Sequence, residues 1–195
     1  MAPAVATTAT RSPRPRRRPG CARRLSGAEV AGPASNPSAQ TPATVTAGTL
    51  SLSSSATPSV SATLDGTDQT PSYTLPMSVA DNTGSGAGWN VTITSTTFTT
   101  GGGSPHTLST SASTATGAVA ACGGGTCTNP TNSVGYPLAV PAGAPAPTAV
   151  KLFNAAANTG MGSFNLTPTI QVAIPANTYA GTYQSTVTVA IVSGP

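Results

Sequence analysis

Charged and aromatic side chains are scarce in this sequence, and both shortages narrow the fold. Only 6% of the 195 residues are charged and 4% are aromatic, whereas glycine and proline contribute 21 and 19 residues. Glycine and proline disfavour helices, because glycine loses backbone entropy and proline cannot donate a helical hydrogen bond. Thr, Val and Ile are branched at Cβ, which suits a pleated strand. We therefore expect an all-β protein.

Positive charge is almost absent after residue 25. Seven of the eight basic residues come before that point: Arg11, Arg14, Arg16, Arg17, Arg18, Arg23 and Arg24. From residue 26 onward, Lys151 is the single cation against four carboxylates. A nucleic-acid surface needs lysines and arginines on a folded face to neutralise phosphates. The sequence therefore argues against nucleic acid as a partner of the folded part.

Apolar periodicity is missing from the first 42 residues. Such a segment buries too little apolar surface to offset the entropy lost on ordering. We predict disorder over residues 1–42 and one folded domain over residues 43–195. The arginine cluster is not followed by the apolar stretch of about 7 to 15 residues that an export signal needs. We therefore expect that the start of the sequence is misassigned and that the secretion signal is not visible in it. The sequence also contains no apolar run of about 18 residues, the length that a membrane-spanning helix needs.

The spacing of two of the three cysteines favours a disulfide over a metal site. Cys122 and Cys127 flank the glycine-rich stretch GGGT, and a bridge across so short a loop would stabilise the fold by about 2 kcal/mol. A metal pair would need further ligands, and His106 is the only histidine. A redox pair usually has two intervening residues. We predict a Cys122–Cys127 disulfide, and hence an extracytoplasmic location, with Cys21 left unpaired.

Apolar residues alternate with polar ones in short runs separated by Gly, Pro, Asn and Asp. The clearest runs are 60–64, 73–79, 89–93, 136–140, 150–152, 170–174 and 187–191, with weaker ones over 44–52 and 116–121. Pro76 lacks an N–H, so the strand around it should lie at an edge or carry a bulge. About eight to nine short strands of this kind indicate an antiparallel β-sandwich or barrel.

Residues suited to catalysis are too dispersed to form a recognisable active site. His106 has no acid near it in sequence, so a catalytic triad lacks a partner. Asp65 and Asp68 could be a hydrolytic pair, but their setting, LDGTDQT, is typical of a turn in which Asp bonds to its own backbone. We expect no enzymatic activity, no cofactor and no metal.

Two stretches of the sequence carry distinctive motifs, one in the middle of the chain and one near residue 195. In residues 78–98, SVADNTGSGAGWNVTITSTTF, a glycine-rich turn opens into a strand that begins at Trp89. Residues 168–195 contain an A-G-x-Y turn followed by a final strand. Together these stretches resemble the motifs of the WxL domain, a cell-surface module of Gram-positive bacteria. Val91 stands where that family has leucine. Val189 stands where the second motif has its tryptophan, so that motif is degenerate.

The resemblance implies an immunoglobulin-like β-sandwich and a secreted, extracellular protein associated with the cell wall. It implies noncovalent attachment to peptidoglycan or another wall glycan, often beside other cell-surface proteins. The alternative is a self-assembling or partner-bound structural protein without glycan affinity, because low charge would not repel pairing of strand edges.

Trp89 has two interpretations. It either points into the core with Val91 and Ile93, or it is exposed and stacks on a sugar ring. Tryptophan is highly buried on average, and the alternation places it on the same face as two aliphatic residues, so we favour the core. Neighbours of Trp89, including the DNTGSGAG loop and the threonines that follow, would then contact a glycan. The candidate binding residues are Trp89, Asn90, Val91, Thr92 and Thr94, with Thr96 in the same row.

Overall fold

The structure is a computed structural model that describes residues 42–195. In this part the chain forms ten β-strands and no helix. The strands are β1 (Leu50–Ser53), β2 (Ser72–Thr74), β3 (Met77–Asp81), β4 (Trp89–Thr96), β5 (Ser113–Gly124), β6 (Leu138–Ala139), β7 (Ala142–Gly143), β8 (Val150–Ala155), β9 (Gly162–Val172) and β10 (Val187–Ser193). The disorder predicted for the N-terminal segment, the arginine cluster and Cys21 fall outside the described residues.

The strands form two sheets. One has the order β1-β3-β9-β5-β6, with β2 also paired to β9, and the other has the order β10-β4-β7, with β8 also paired to β4. All pairs are antiparallel except β4 with β7, which is parallel. The all-β sandwich predicted from the sequence is confirmed. Ten strands replace the eight or nine expected, and two of them, β6 and β7, are only two residues long.

The core lies between the two sheets. Ten of its residues have no exposed surface: Val79, Ala115, Phe164, Leu166 and Ile170 from the larger sheet, and Trp89, Val91, Ile93, Leu152 and Ala155 from the smaller. Along β3 and β9 these residues alternate with more exposed ones, as expected of strands with one buried face. Full burial of such a side chain contributes roughly 1.5–3 kcal/mol. The sandwich is therefore held mainly by apolar contacts between the sheets.

Several predicted strands differ in the structure: β1 begins only at Leu50, and the run 170–174 contains only the last three residues of β9. Residues 60–64 form no strand, although their apolar residues alternate, because they make no backbone hydrogen bond to the rest of the described chain. The run over 73–79 is divided into β2 and β3 at Leu75 and Pro76. The break follows from the missing N–H of Pro76, as the sequence indicated. Both pieces still pair with β9.

Candidate functional site

The loop between β3 and β4 is a series of short turns closed by side chains. Asp81 is 4% exposed, and its Oδ1 accepts hydrogen bonds from the N–H and the hydroxyl of Thr83 at 3.1 and 2.7 Å. The Thr83 hydroxyl oxygen accepts from Ser85 N–H at 3.3 Å, and the Ser85 oxygen accepts from Ala87 N–H at 3.2 Å. Side chains of the loop therefore accept hydrogen bonds from three of its own backbone N–H groups, those of Thr83, Ser85 and Ala87.

The glycines of this loop alternate with the residues that make those hydrogen bonds. Gly84, Gly86 and Gly88 have φ angles of 65, 65 and 74°, in the left-handed region that favours glycine. A Cβ at Gly88 would lie 2.4 Å from the backbone oxygen of Ala155, whereas one at Gly84 would meet no atom of the described residues within 4 Å. The G-x-G-x-G-W spacing thus has a conformational cause, and at Gly88 also a steric one.

Trp89 lies at the start of β4 and has no exposed surface. Its Nε1 donates a hydrogen bond to the backbone oxygen of Gly160 at 2.9 Å, and its ring packs against Phe153 and Phe164 with centroid distances of 5.8 and 6.4 Å. A Cβ at Gly160 would lie 2.7 Å from Nε1, so a larger residue does not fit there. The burial agrees with the core interpretation. Stacking on a sugar is wrong for this conformation, because no face of the indole is accessible.

The end of the chain closes against the same loop. Gly194 N–H donates to the backbone oxygen of Gly88 at 2.9 Å, and Asn90 Nδ2 donates to the backbone oxygen of Gly194 at 2.8 Å. From the turn after β8, Asn158 N–H donates to the backbone oxygen of Gly86 at 2.7 Å. The loop around Trp89, the β8–β9 turn and the end of β10 therefore form one hydrogen-bonded unit, and the amide of Asn90 is part of it.

The threonine row of β4 is less open than predicted. Thr94 is 8% exposed, and its hydroxyl donates to the backbone oxygen of Pro147 at 2.8 Å, so the segment after β7 covers it. Thr92 and Thr96 are half-buried. Val91 lies in the core with Trp89. Among the five candidate residues, only Asn90 and Thr92 keep partly exposed side chains, and glycan binding by the five remains a prediction.

The disulfide predicted between Cys122 and Cys127 is confirmed, and it closes the end of β5 with a Cα–Cα distance of 6.0 Å. It lies beside the start of β9, where a Cβ at Gly162 would come within 3.2 Å of Cys127 Cα. Among residues 42–195 there is no group of three or more His, Cys, Asp or Glu residues able to hold a metal. No helix in that range has the length and hydropathy that a membrane crossing requires.

The two aspartates of LDGTDQT accept hydrogen bonds from different parts of the chain. Asp65 Oδ1 accepts from the hydroxyl and the N–H of Thr67 at 2.7 and 2.9 Å, and these bonds lower the pKa of its carboxyl. Asp68 Oδ1 instead accepts from the N–H of Ala176 at 2.9 Å. Asp65 therefore bonds to its own backbone two residues on, as the turn interpretation expects. His106 stacks on Tyr179, with ring centroids 3.9 Å apart.

A cleft that the sequence did not indicate opens beside the start of β10. Its volume is about 900 Å³, and its sides come from residues 54–60, from residues 182–189 and from Phe98. A second hollow of about 450 Å³ shares Val60, Phe98, Thr182 and Tyr183 with it. Val189, at the degenerate second motif, lines the larger one. Sequence reasoning missed this cleft because segments far apart in the chain line it.

The family of the chain follows from a comparison with protein-family models. Residues 38–195 match the model described as a WxL domain, surface cell wall-binding. A search of curated proteins found no match, and a search of solved structures found none either. The matched region includes every strand described above, the glycine-rich loop and Trp89. The chain therefore belongs to the WxL domain family of surface cell wall-binding domains.

Proposed function

We propose that this protein is a secreted, noncatalytic module that attaches noncovalently to peptidoglycan on the surface of a Gram-positive bacterium. The observation that carries the proposal is the family match over residues 38–195, to a domain described as surface cell wall-binding. The hydrogen-bonded unit around Trp89 supports it, because the first family motif is built into the fold with its glycines and tryptophan intact.

The composition of the folded part supports attachment through uncharged contacts. Its described residues carry three carboxylates and one lysine, namely Asp65, Asp68, Asp81 and Lys151. With one cation, the described part has little means of neutralising a polyanion such as teichoic acid. The N-terminal arginines are different, because they would attract any anionic polymer regardless of the fold.

The test is a pull-down of the full chain with peptidoglycan stripped of teichoic acids. To separate the fold from the tail, it includes a variant in which the seven arginines before residue 25 are replaced by glutamine. We expect this variant to sediment with the stripped wall at both about 0.1 M and about 1 M NaCl. An unrelated β-sandwich serves as the control. Loss of retention in the arginine-free variant, with its fold intact, would contradict the proposal.

A structural role is the second candidate, and the outer edge of β5 favours it. On this edge β6 pairs with Thr114 and Ala115, and Val140 N–H donates to the backbone oxygen of Ser113, so residues 116–124 of β5 have no backbone partner there within the described chain. Val119 on this stretch is 69% exposed. An open, uncharged edge is a template for pairing with another strand. Sedimentation velocity over a range of concentrations tests it: self-association supports a structural role, and a concentration-independent monomer argues against it.

A further inference from the structure

We infer that the cleft beside β10 holds a glycan strand, and that it binds uncharged, N-acetylated sugar units rather than the acidic groups of the wall. The inference rests on the proposed function and assigns it a site. That site is separate from the loop around Trp89, which is closed by its own hydrogen bonds and presents no indole face.

The shape of the cleft fits a chain-like ligand. Volumes of about 900 and 450 Å³ lie in or near the range of small-molecule sites, about 300–1,000 Å³. The two hollows meet at Phe98 and Tyr183, which line both. The two hollows therefore adjoin at two aromatic rings, and together they offer room for more than one sugar ring.

The lining has the two kinds of group that a sugar requires. The half-buried rings of Tyr73, Phe98 and Tyr183 offer apolar surface for the C–H faces of a sugar. The exposed side chains of Thr182 and Gln184 offer hydrogen bonds to hydroxyl and acetamido groups at its rim. Apolar and aromatic surface with a few placed polar groups is the usual composition of a ligand site.

The lining of the cleft carries no charge, and this disfavours anionic ligands. Among the described residues, none that lines either hollow is ionised at neutral pH. A carboxylate or phosphate placed there would lose hydration without gaining a cationic partner, which is costly. An uncharged glycan has no ionic group whose hydration would be lost on binding. The stem peptides and teichoic phosphates of the wall are therefore expected to remain outside the groove.

One side of the cleft is free to adapt to a ligand. Residues 55–64 make no hydrogen bond to the rest of the described chain, and they are held by contacts of half-buried Ala56 and Val60. This segment can shift without breaking a hydrogen bond. On the opposite side, Val189 occupies the position of the missing second tryptophan.

Calorimetric titration of the full chain with chitohexaose, a neutral N-acetylated glycan, tests the inference. Cellohexaose, which lacks acetamido groups, and polyglycerol phosphate, which is anionic, are the comparison ligands. We expect saturable binding of chitohexaose, weaker binding of cellohexaose, and no binding of polyglycerol phosphate to the variant without N-terminal arginines. Failure of the wild-type chain to bind chitohexaose while it binds stripped peptidoglycan would overturn the inference and leave the proposed function standing.

Variants locate the binding. Gln184→Glu removes the amide donor at the rim of the cleft and adds a charge there without changing the size of the side chain. Gln171→Glu makes the same change at an exposed residue of β9, outside both hollows. We expect at least about a tenfold loss of chitohexaose affinity for Gln184→Glu and for Tyr183→Ala, and none for Gln171→Glu. Circular dichroism checks folding; if Tyr183→Ala unfolds, Gln184→Glu decides. Equal affinity of Gln184→Glu and wild type for chitohexaose would overturn the inference. Failure of the wild-type chain to bind stripped peptidoglycan would instead overturn the proposed function.

Discussion

Gly84 and Gly88 have similar backbone conformations in different surroundings, so they separate conformational strain from steric conflict. Alanine at Gly84 should cost roughly 1–2 kcal/mol of unfolding free energy, the usual penalty of a left-handed residue with a Cβ. Gly88→Ala should cost about 1–3 kcal/mol more, because its Cβ would meet the Ala155 oxygen at 2.4 Å. Urea unfolding of both variants measures the difference. Equal losses would show that the close contact relaxes freely.

Trp89 should be essential for stability, because it contacts both sheets from a fully buried position. We expect Trp89→Ala to lower the unfolding free energy by about 3–5 kcal/mol. Val45→Ala, which shortens a side chain that is 94% exposed, is the control and should change it by less than about 0.5 kcal/mol. Chemical denaturation measures both. A stable Trp89→Ala variant that has lost wall binding would return the indole to a role in recognition.

Tyr73 should make the fold sensitive to alkali. Burial raises the pKa of its phenol above the ordinary value of 10.0. A raised folded-state pKa means that the contribution to stability is complete below the unfolded-state pKa and is lost as pH rises through the folded-state pKa. We expect unfolding free energy to fall between about pH 9 and about pH 12, and to fall less in Tyr73→Phe. Denaturation at several pH values is the measurement; equal losses in both proteins would assign the effect elsewhere.

Sequence reasoning anticipated much at the residue scale, and its misses have a common cause. The alternation of apolar residues from Trp89 to Ile93 correctly predicted that the indole is buried. The acceptor of its N–H could not be read in the same way, because Gly160 lies 71 residues away and only the fold brings it near. Thr94 was expected at the surface for a similar reason: nothing in β4 itself shows that Pro147 covers it.

At the scale of elements, the disulfide at the end of β5 acts on the unfolded chain. Its cysteines are five positions apart, so reducing the bond releases a short loop and should cost about 2 kcal/mol. The Cys122→Ser, Cys127→Ser double variant should show the same loss without a reductant. Thermal unfolding with and without dithiothreitol checks this. A larger loss in the double variant than on reduction would mean that the sulfur atoms also contribute through packing beside Gly162.

The strands that the sequence placed correctly have both an alternating pattern and a partner. β4 and β10 satisfy both conditions, and Pro76 correctly marked the break between β2 and β3. The predicted run 170–174 contains only the end of β9, which begins at Gly162. Residues 60–64 alternate but form no strand, because alternation alone does not show whether a sheet edge is available for pairing. β8 shows another limit: its register with β4 shifts between Val91 and Thr92, and a shifted register cannot be read from periodicity.

At the scale of the whole molecule, charge is divided between the two ends of the sequence. Seven cations precede residue 25, whereas the described part carries three carboxylates and one lysine. Wall binding by the arginine-free variant should therefore change less than about twofold between about 0.1 and about 1 M NaCl. Binding isotherms on stripped peptidoglycan measure this. A steep fall with salt would show that ionic contacts dominate and would contradict an uncharged site.

The position of the single tryptophan also supplies a probe. Because the chain has one indole and the fold places it between the sheets, its fluorescence reports on the interior of the sandwich alone. Emission should be blue-shifted in the native protein and should move to longer wavelength when the sheets separate. The cleft beside β10 is not lined by Trp89, so a ligand there should leave the emission maximum unchanged. The protein thus carries an intrinsic optical signal that distinguishes unfolding from ligand binding.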